Sequence, residues 1–182
     1  MSGVVRVIRG KYKSRRFTPP KNFPSRPTTD YAKESLFNII ENKWELENIE
    51  VLDLFAGTGN ISLEFLSRGV ATVLSVDNHF VSYKFMKQTK NKLSANNWAI
   101  IKNEVFKFAP KIGKQFDIIF ADPPFGLKNI LSLPDLIFSS DICKEHTLII
   151  IEHGKETDFS KQLNFDEVRH YGGVNFSFFT QK

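Results

Sequence analysis

From Glu50 onward, short runs that are apolar at nearly every position alternate with stretches that are apolar on one side only. Glu50 to Leu54, Ala71 to Val76, Ala99 to Lys102, Phe116 to Ala121 and Thr147 to Glu152 read as strands; Ile61 to Arg68, stopped by Gly69, and Phe80 to about Ala95 read as helices. Continuous apolar strands separated by amphipathic helices specify an α/β domain with a mostly parallel sheet, covered on both faces and joined by right-handed crossovers. Upstream, Arg26-Pro27-Thr28-Thr29-Asp30 punctuates the chain, and Thr29 or Asp30 can cap a helix whose buried face carries Ala32, Leu36, Phe37, Ile40 and Trp44, with Lys33, Glu34 and Asn38 on the other side. The end departs from this rhythm. Phe165 to Tyr171, Gly172-Gly173 and Val174 to Thr180 leave no room for a helix, so a β-hairpin is predicted there, which makes the last strand antiparallel.

Composition narrows the class. With 182 residues, 41% hydrophobic and 25% charged, the chain has the make-up of one globular domain. One cysteine, Cys143, allows neither a disulfide framework nor a cysteine zinc site, and it reads as a packing residue in a cytoplasmic protein. His79, His146, His153 and His170 are scattered, so no metal is expected. The apolar runs are too short to span a bilayer and no secretory leader is evident, so no membrane is expected either.

The net charge of +5 hides an uneven distribution: residues 1–29 carry eight Lys/Arg and no Asp or Glu, whereas the rest carries seventeen against twenty. Arg6, Arg9, Lys11, Lys13, Arg15, Arg16, Lys21 and Arg26 are interleaved with Tyr12, Phe17 and Phe23, a mixture suited to phosphate contact and base stacking. This predicts a basic arm over residues 1–25 that contacts nucleic acid, ahead of the α/β domain over 26–182, with Arg6, Arg9, Lys11, Arg15, Arg16 and Arg26 as candidate contacts. A solvated tail is the alternative.

Candidate chemistry clusters after the predicted strands. Asp53, Phe55, Ala56, Gly57, Thr58 and Gly59 form a strand end and glycine-rich turn, where open parallel sheets bind ligands. A third glycine of a dinucleotide fingerprint is missing, because Ser62 stands there, and the anionic Asp53 suits a cationic ligand better than a pyrophosphate. S-adenosylmethionine carries an ammonium, a sulfonium and no phosphate. Asp77, after the next strand, can accept both ribose hydroxyls of an adenosine; Glu104 and the Val105 amide can address the adenine edge. Asp122-Pro123-Pro124-Phe125 follows the strand ending at Ala121. Its prolines fix the backbone and leave carbonyls without competing donors, Asp122 adds an acceptor and Phe125 an aromatic face, which together make a clamp for a planar exocyclic amine. Hydrogen bonds that favour a pyramidal amine free its lone pair and strengthen toward the transition state. No GxSxG or GxxxxGK[ST] segment offers a hydrolase or phosphate-loop alternative.

These residues resemble the bacterial guanine-N2 methyltransferases that modify guanine 966 of 16S ribosomal RNA. The resemblance rests on Arg6 to Phe17, similar to that family's basic amino-terminal hairpin; on Arg26 to Asp30 continuing to Glu34-Ser35-Leu36-Phe37-Asn38; on Leu52 to Gly59 with Leu63 to Gly69; and on Asp122 to Phe125. Three positions depart from its pattern: Arg9 where glycine is usual, Tyr31 where a basic residue is usual, and Glu104 where Asp or Asn is usual. The resemblance implies a Rossmann-like class I methyltransferase sheet of seven strands, S-adenosylmethionine as cofactor, and 16S rRNA or the assembling small ribosomal subunit as partner of a monomeric enzyme. The residues leave three alternatives open: an enzyme for N6 of adenine or another guanine, an inactive nucleic-acid-binding module, and a nicotinamide oxidoreductase.

Overall fold

The computed structural model describes residues 3–21, 23–24 and 28–180. Its centre is a seven-stranded sheet in the order β5-β4-β3-β6-β7-β9-β8, formed by β3 (Glu50–Leu54), β4 (Thr72–Asp77), β5 (Trp98–Lys102), β6 (Phe116–Ala121), β7 (Cys143–His153), β8 (Phe165–Tyr171) and β9 (Val174–Thr180). The first five strands in chain order are parallel, while β9 runs antiparallel to both β7 and β8. The chain therefore builds β3, β4 and β5 outward and then returns to place β6 on the other side of β3, with Leu54 beside Ala121. That reversal is a topological switch point, and a crevice opens beyond the carboxyl ends of β3 and β6.

Alternation along the strands divides the interior into two layers. Val51, Val73, Ile118, Phe120, Leu148 and Ile150 face α1 (Asp30–Lys43), α2 (Asn60–Ser67) and α3 (Phe80–Leu93); Leu52, Leu54, Ile119, Ala121, Ile149 and Ile151 face α4 (Val105–Phe108), α5 (Leu133–Ser139) and Phe159. Thr29 caps α1 by accepting from the Ala32 amide. Trp44 ends that helix in extended conformation, half-buried against the same core. Two differences from the pattern have physical reasons. β7 starts at Cys143, four residues before the predicted strand, because a register irregularity lets Phe116 pair with Cys143 and Ile118 with Leu148. The helices α4 and α5 span only four and seven residues, too few for a periodic signal.

The basic segment folds onto the first layer. β1 (Val5–Arg6) and β2 (Arg16–Phe17) pair antiparallel, and Val5, Val7, Tyr12 and Phe17 are buried in the same core as α1 and α2. The division between residues 1–25 and 26–182 is thus one of charge, with a shared core across it. Lys33, expected on the outer face of α1, is fully buried: its ammonium donates to the Arg6 carbonyl and Asn60 and lies 3.4 Å from the Glu64 carboxylate. Glu64 also accepts from the backbone amides of Ile8 (2.9 Å) and Arg9 (3.1 Å) and pairs with Arg68 at 3.0 Å. Arg68 reaches Glu41 at 2.7 Å. The helical spacing failed at Lys33 because the first strand supplies a polar ceiling over that face of α1.

Candidate active site

The crevice at the switch point is a cavity of about 290 Å³, near the lower end of the size range of small-molecule sites. Asp53, Phe55, Ala56, Gly57 and Thr58 enter it from β3 and its turn, Asp77, Asn78, His79 and Ser82 from β4 and α3, Glu104, Val105 and Phe106 from the start of α4, and Asp122 and Pro124 from the end of β6. Four of the described lining residues are carboxylates and none is lysine or arginine. An acidic, cation-free crevice disfavours a pyrophosphate and favours a positively charged ligand.

The turn after β3 is shaped by three left-handed residues, Phe55 (φ 60°), Gly57 (φ 53°) and Gly59 (φ 72°). Phe55 is a bulky residue in that region, a strained placement of the kind that collects at ligand sites. Its ring meets Phe106 edge-on at 6.5 Å. Gly57 donates its amide to the Asp77 carboxylate at 2.8 Å, tying the turn to β4. Gly59 does not line the crevice. A Cβ there would lie 2.8 Å from the Trp98 ring, so this glycine serves the packing of α2 against β5.

Asp77 also accepts the His79 amide at 2.8 Å, and an ionised carboxylate with two such donors retains lone pairs for further ones. Asp53 is buried and accepts from Ser62 Oγ; burial, opposed by that hydrogen bond, pushes its carboxyl up to about 7. Asp122 is held beside β3 by its amide, which donates to the Leu54 carbonyl at 3.2 Å. Its carboxyl keeps some exposure to the crevice, and desolvation, then the charges of Glu152 and Asp53, hold it well above the usual range. Glu104 is exposed and pairs with Lys107 at 2.7 Å.

A second cavity of about 170 Å³ lies on the other side of Asp122 and Pro124 and is lined also by Pro123, Phe125, Ile130, Glu152, His153 and Thr157. The two cavities share Asp122, Pro124 and Leu127, so the four-residue turn forms the wall between them. Phe125 is 82% exposed at its mouth, available for stacking. Three contributors escaped the sequence reading. Glu152 accepts from the Thr28 hydroxyl at 2.9 Å, Phe106 faces Phe55, and the Ser82 hydroxyl is buried against the first cavity with no hydrogen-bond partner among the described residues. Ser82 carries no motif; only its place one turn into α3, just beyond Asp77, pointed to it.

The described candidate RNA contacts, Arg6, Arg9, Lys11, Arg15 and Arg16, do not line either cavity and divide into two groups. Arg6 pairs with Asp30 and Arg9 with Glu41, each at 3.1 Å, and Lys11 sits over the Tyr12 ring. Arg15 and Arg16 are exposed on β2 and the turn before it. Arg26 lies outside the described residues.

Comparison with known proteins agrees with this architecture. The ribosomal RNA small subunit methyltransferase D of Buchnera aphidicola subsp. Baizongia pistaciae is 32% identical over 148 residues, 81% of this chain and 75% of its own length. The enzyme of that name from Escherichia coli K12 is 31% identical over 153 residues, covering 83% and 75%. Among solved structures, the Escherichia coli protein yhhF superposes with a TM-score of 0.84 at 25% identity over 99% of both chains. A family model described as Conserved hypothetical protein 95 matches residues 5–180, from the first strand of the basic hairpin to the last strand of the sheet. By that match and by those relatives, the chain belongs to the Conserved hypothetical protein 95 family, alongside the small-subunit ribosomal RNA methyltransferases D.

Proposed function

We propose that the protein transfers a methyl group from S-adenosylmethionine to the N2 amine of a guanine in small-subunit ribosomal RNA. The observation that carries this reading is the shared wall: an acidic crevice free of lysine and arginine meets a second cavity across Asp122-Pro123-Pro124-Phe125. The carboxyls of Asp53 and Asp122, both held above the usual range chiefly by desolvation, fit a cofactor that brings positive charge. When bound, it supplies an electrophilic methyl group: the amine lone pair forms the new N–C bond while the C–S pair returns to sulfur.

The chain's own residues then have distinct tasks. Asp77 would hold the ribose hydroxyls with its remaining lone pairs, and the Val105 amide with Glu104 would address the adenine edge, beside the Phe55 and Phe106 rings. Phe125 stacks on the target base, and the Pro123 carbonyl with Asp122 accepts from the two amine hydrogens. Asp122 holds the amine at the angle of attack and, once the cofactor's positive charge favours its carboxylate, receives the proton released as the bond forms. The relatives' names support the class of RNA, the clamp suits an exocyclic amine, and the choice of guanine N2 rests on the family resemblance. Methyl transfer from labelled S-adenosylmethionine to small-subunit particles and to their naked rRNA, followed by nucleoside analysis, tests the reading. Label in N2-methylguanosine is expected; label in N6-methyladenosine alone, or in no nucleoside, overturns it.

A further inference from the structure

We infer that the RNA backbone flanking the target is gripped in a groove between β2 and the carboxyl half of α3, by Arg15, Arg16, Lys92 and Gln88, and that Arg6 and Arg9 are structural. This rests on the proposed RNA substrate and adds where the strand runs. The groove has a volume of about 700 Å³, more than twice that of the switch-point cavity. Arg15, Arg16 and Thr18 form one wall; Gln88, Thr89 and Lys92 form the other; Phe17, Phe85 and Leu93 make an apolar floor. No carboxylate is among the described lining residues.

Charge pairing separates the cations that the sequence treats alike. Arg6 and Arg9 each pair with a carboxylate, Asp30 and the Glu41 that Arg68 shares, whereas Arg15, Arg16 and Lys92 are exposed and have no ion pair or side-chain hydrogen bond among the described residues. They are also held in place. The hairpin that carries Arg15 and Arg16 is fastened to α2 by the Ile8 and Arg9 amides on Glu64, by the Lys11 amide on the Ser67 carbonyl (2.7 Å) and by the Tyr12 amide on Ser67 Oγ (2.9 Å). Lys92 rides on a helix whose Ser82 lines the cofactor crevice. Ten residues of helix separate them, roughly 15 Å of rise. Two free arginines opposite a lysine and an amide, with hydroxyls between, suit phosphate oxygens along a strand, and the fixed spacing lowers the ordering cost of capture.

The test is RNA binding across a salt series for wild type, the triple variant Arg15→Ala/Arg16→Ala/Lys92→Ala and the double variant Arg6→Ala/Arg9→Ala. The triple variant is expected to lower the slope of log affinity against log salt by about 2 to 3 units, and the double variant to leave it within about half a unit. In methyl transfer, the triple variant's loss should fall in kcat/KM by tenfold or more, with S-adenosylmethionine binding unchanged as the folding control. Equal slopes for wild type and triple variant, with transfer to RNA intact, would overturn the groove and leave the proposed function standing. A wild type that neither binds nor methylates RNA would instead overturn the reading beneath it. A triple variant that loses affinity for heparin but not for RNA would make the groove a general polyanion surface and refute its place in the RNA site.

Discussion

Asp53 shows how one side chain couples stability to ligand binding. Its ordinary carboxyl value of 3.8 is pushed to about 7 by burial, so the folded chain holds a proton that the unfolded chain releases. Its contribution to stability is full below about pH 4 and is lost as the pH rises through 7. A bound cation reverses the balance by favouring the carboxylate. S-adenosylmethionine should therefore bind more tightly at pH 8 than at pH 6 and release protons near pH 7; calorimetry in two buffers of different ionisation enthalpy measures this, and equal observed heats in the two buffers would refute it. Asp122→Ala should leave cofactor affinity within a few-fold and cost turnover on the order of a hundredfold, because its carboxyl acts on the amine. Methyl transfer and calorimetry on one preparation separate the two effects. At this scale, Asp53, Asp77 and Asp122 were legible because each lies at or just past the carboxyl end of an apolar run that reads as a strand. Lys33 and Glu152 were not, because each owes its role to a distant segment that the fold brings opposite it, and Ser82 was not, because it carries no motif.

Secondary elements were legible wherever the period was long enough to count. The hairpin of β8 and β9 turns at Gly172-Gly173 as its spacing required, and Thr29 caps α1. What the pattern could not give was the polar lock between elements. Glu64, inside a helix that reads as wholly apolar on its packed side, receives Lys33, Arg68 and two amides of the basic hairpin. Glu64→Gln leaves the buried Lys33 ammonium without its counter-charge and should destabilise the protein by about 3 to 5 kcal/mol, read from denaturant unfolding. Adding Lys33→Met should recover part of that loss, since the pair fails together; strictly additive costs would contradict the lock. Gly59→Ala should also destabilise, by about 1 to 3 kcal/mol, through its left-handed backbone and the 2.8 Å approach to Trp98, without touching the crevice directly.

For the whole molecule, the succession of strands and helices implied a parallel sheet, but not the insertion of β6 beside β3, on which the crevice depends. Nor did charge alone distinguish a loose basic arm from a hairpin fastened to α2 whose outer arginines face Lys92. Assembled, these features place an acidic crevice and the Asp122–Phe125 turn at one end of the sheet, with a cationic groove along α3. The most direct test of the central claim is mass mapping of modified nucleosides in small-subunit rRNA from cells with and without this protein. The account predicts the loss of a single N2-methylguanosine, restored by the wild-type chain and not by Asp122→Ala; an unchanged set of modifications, or the loss of a methyladenosine instead, would contradict it.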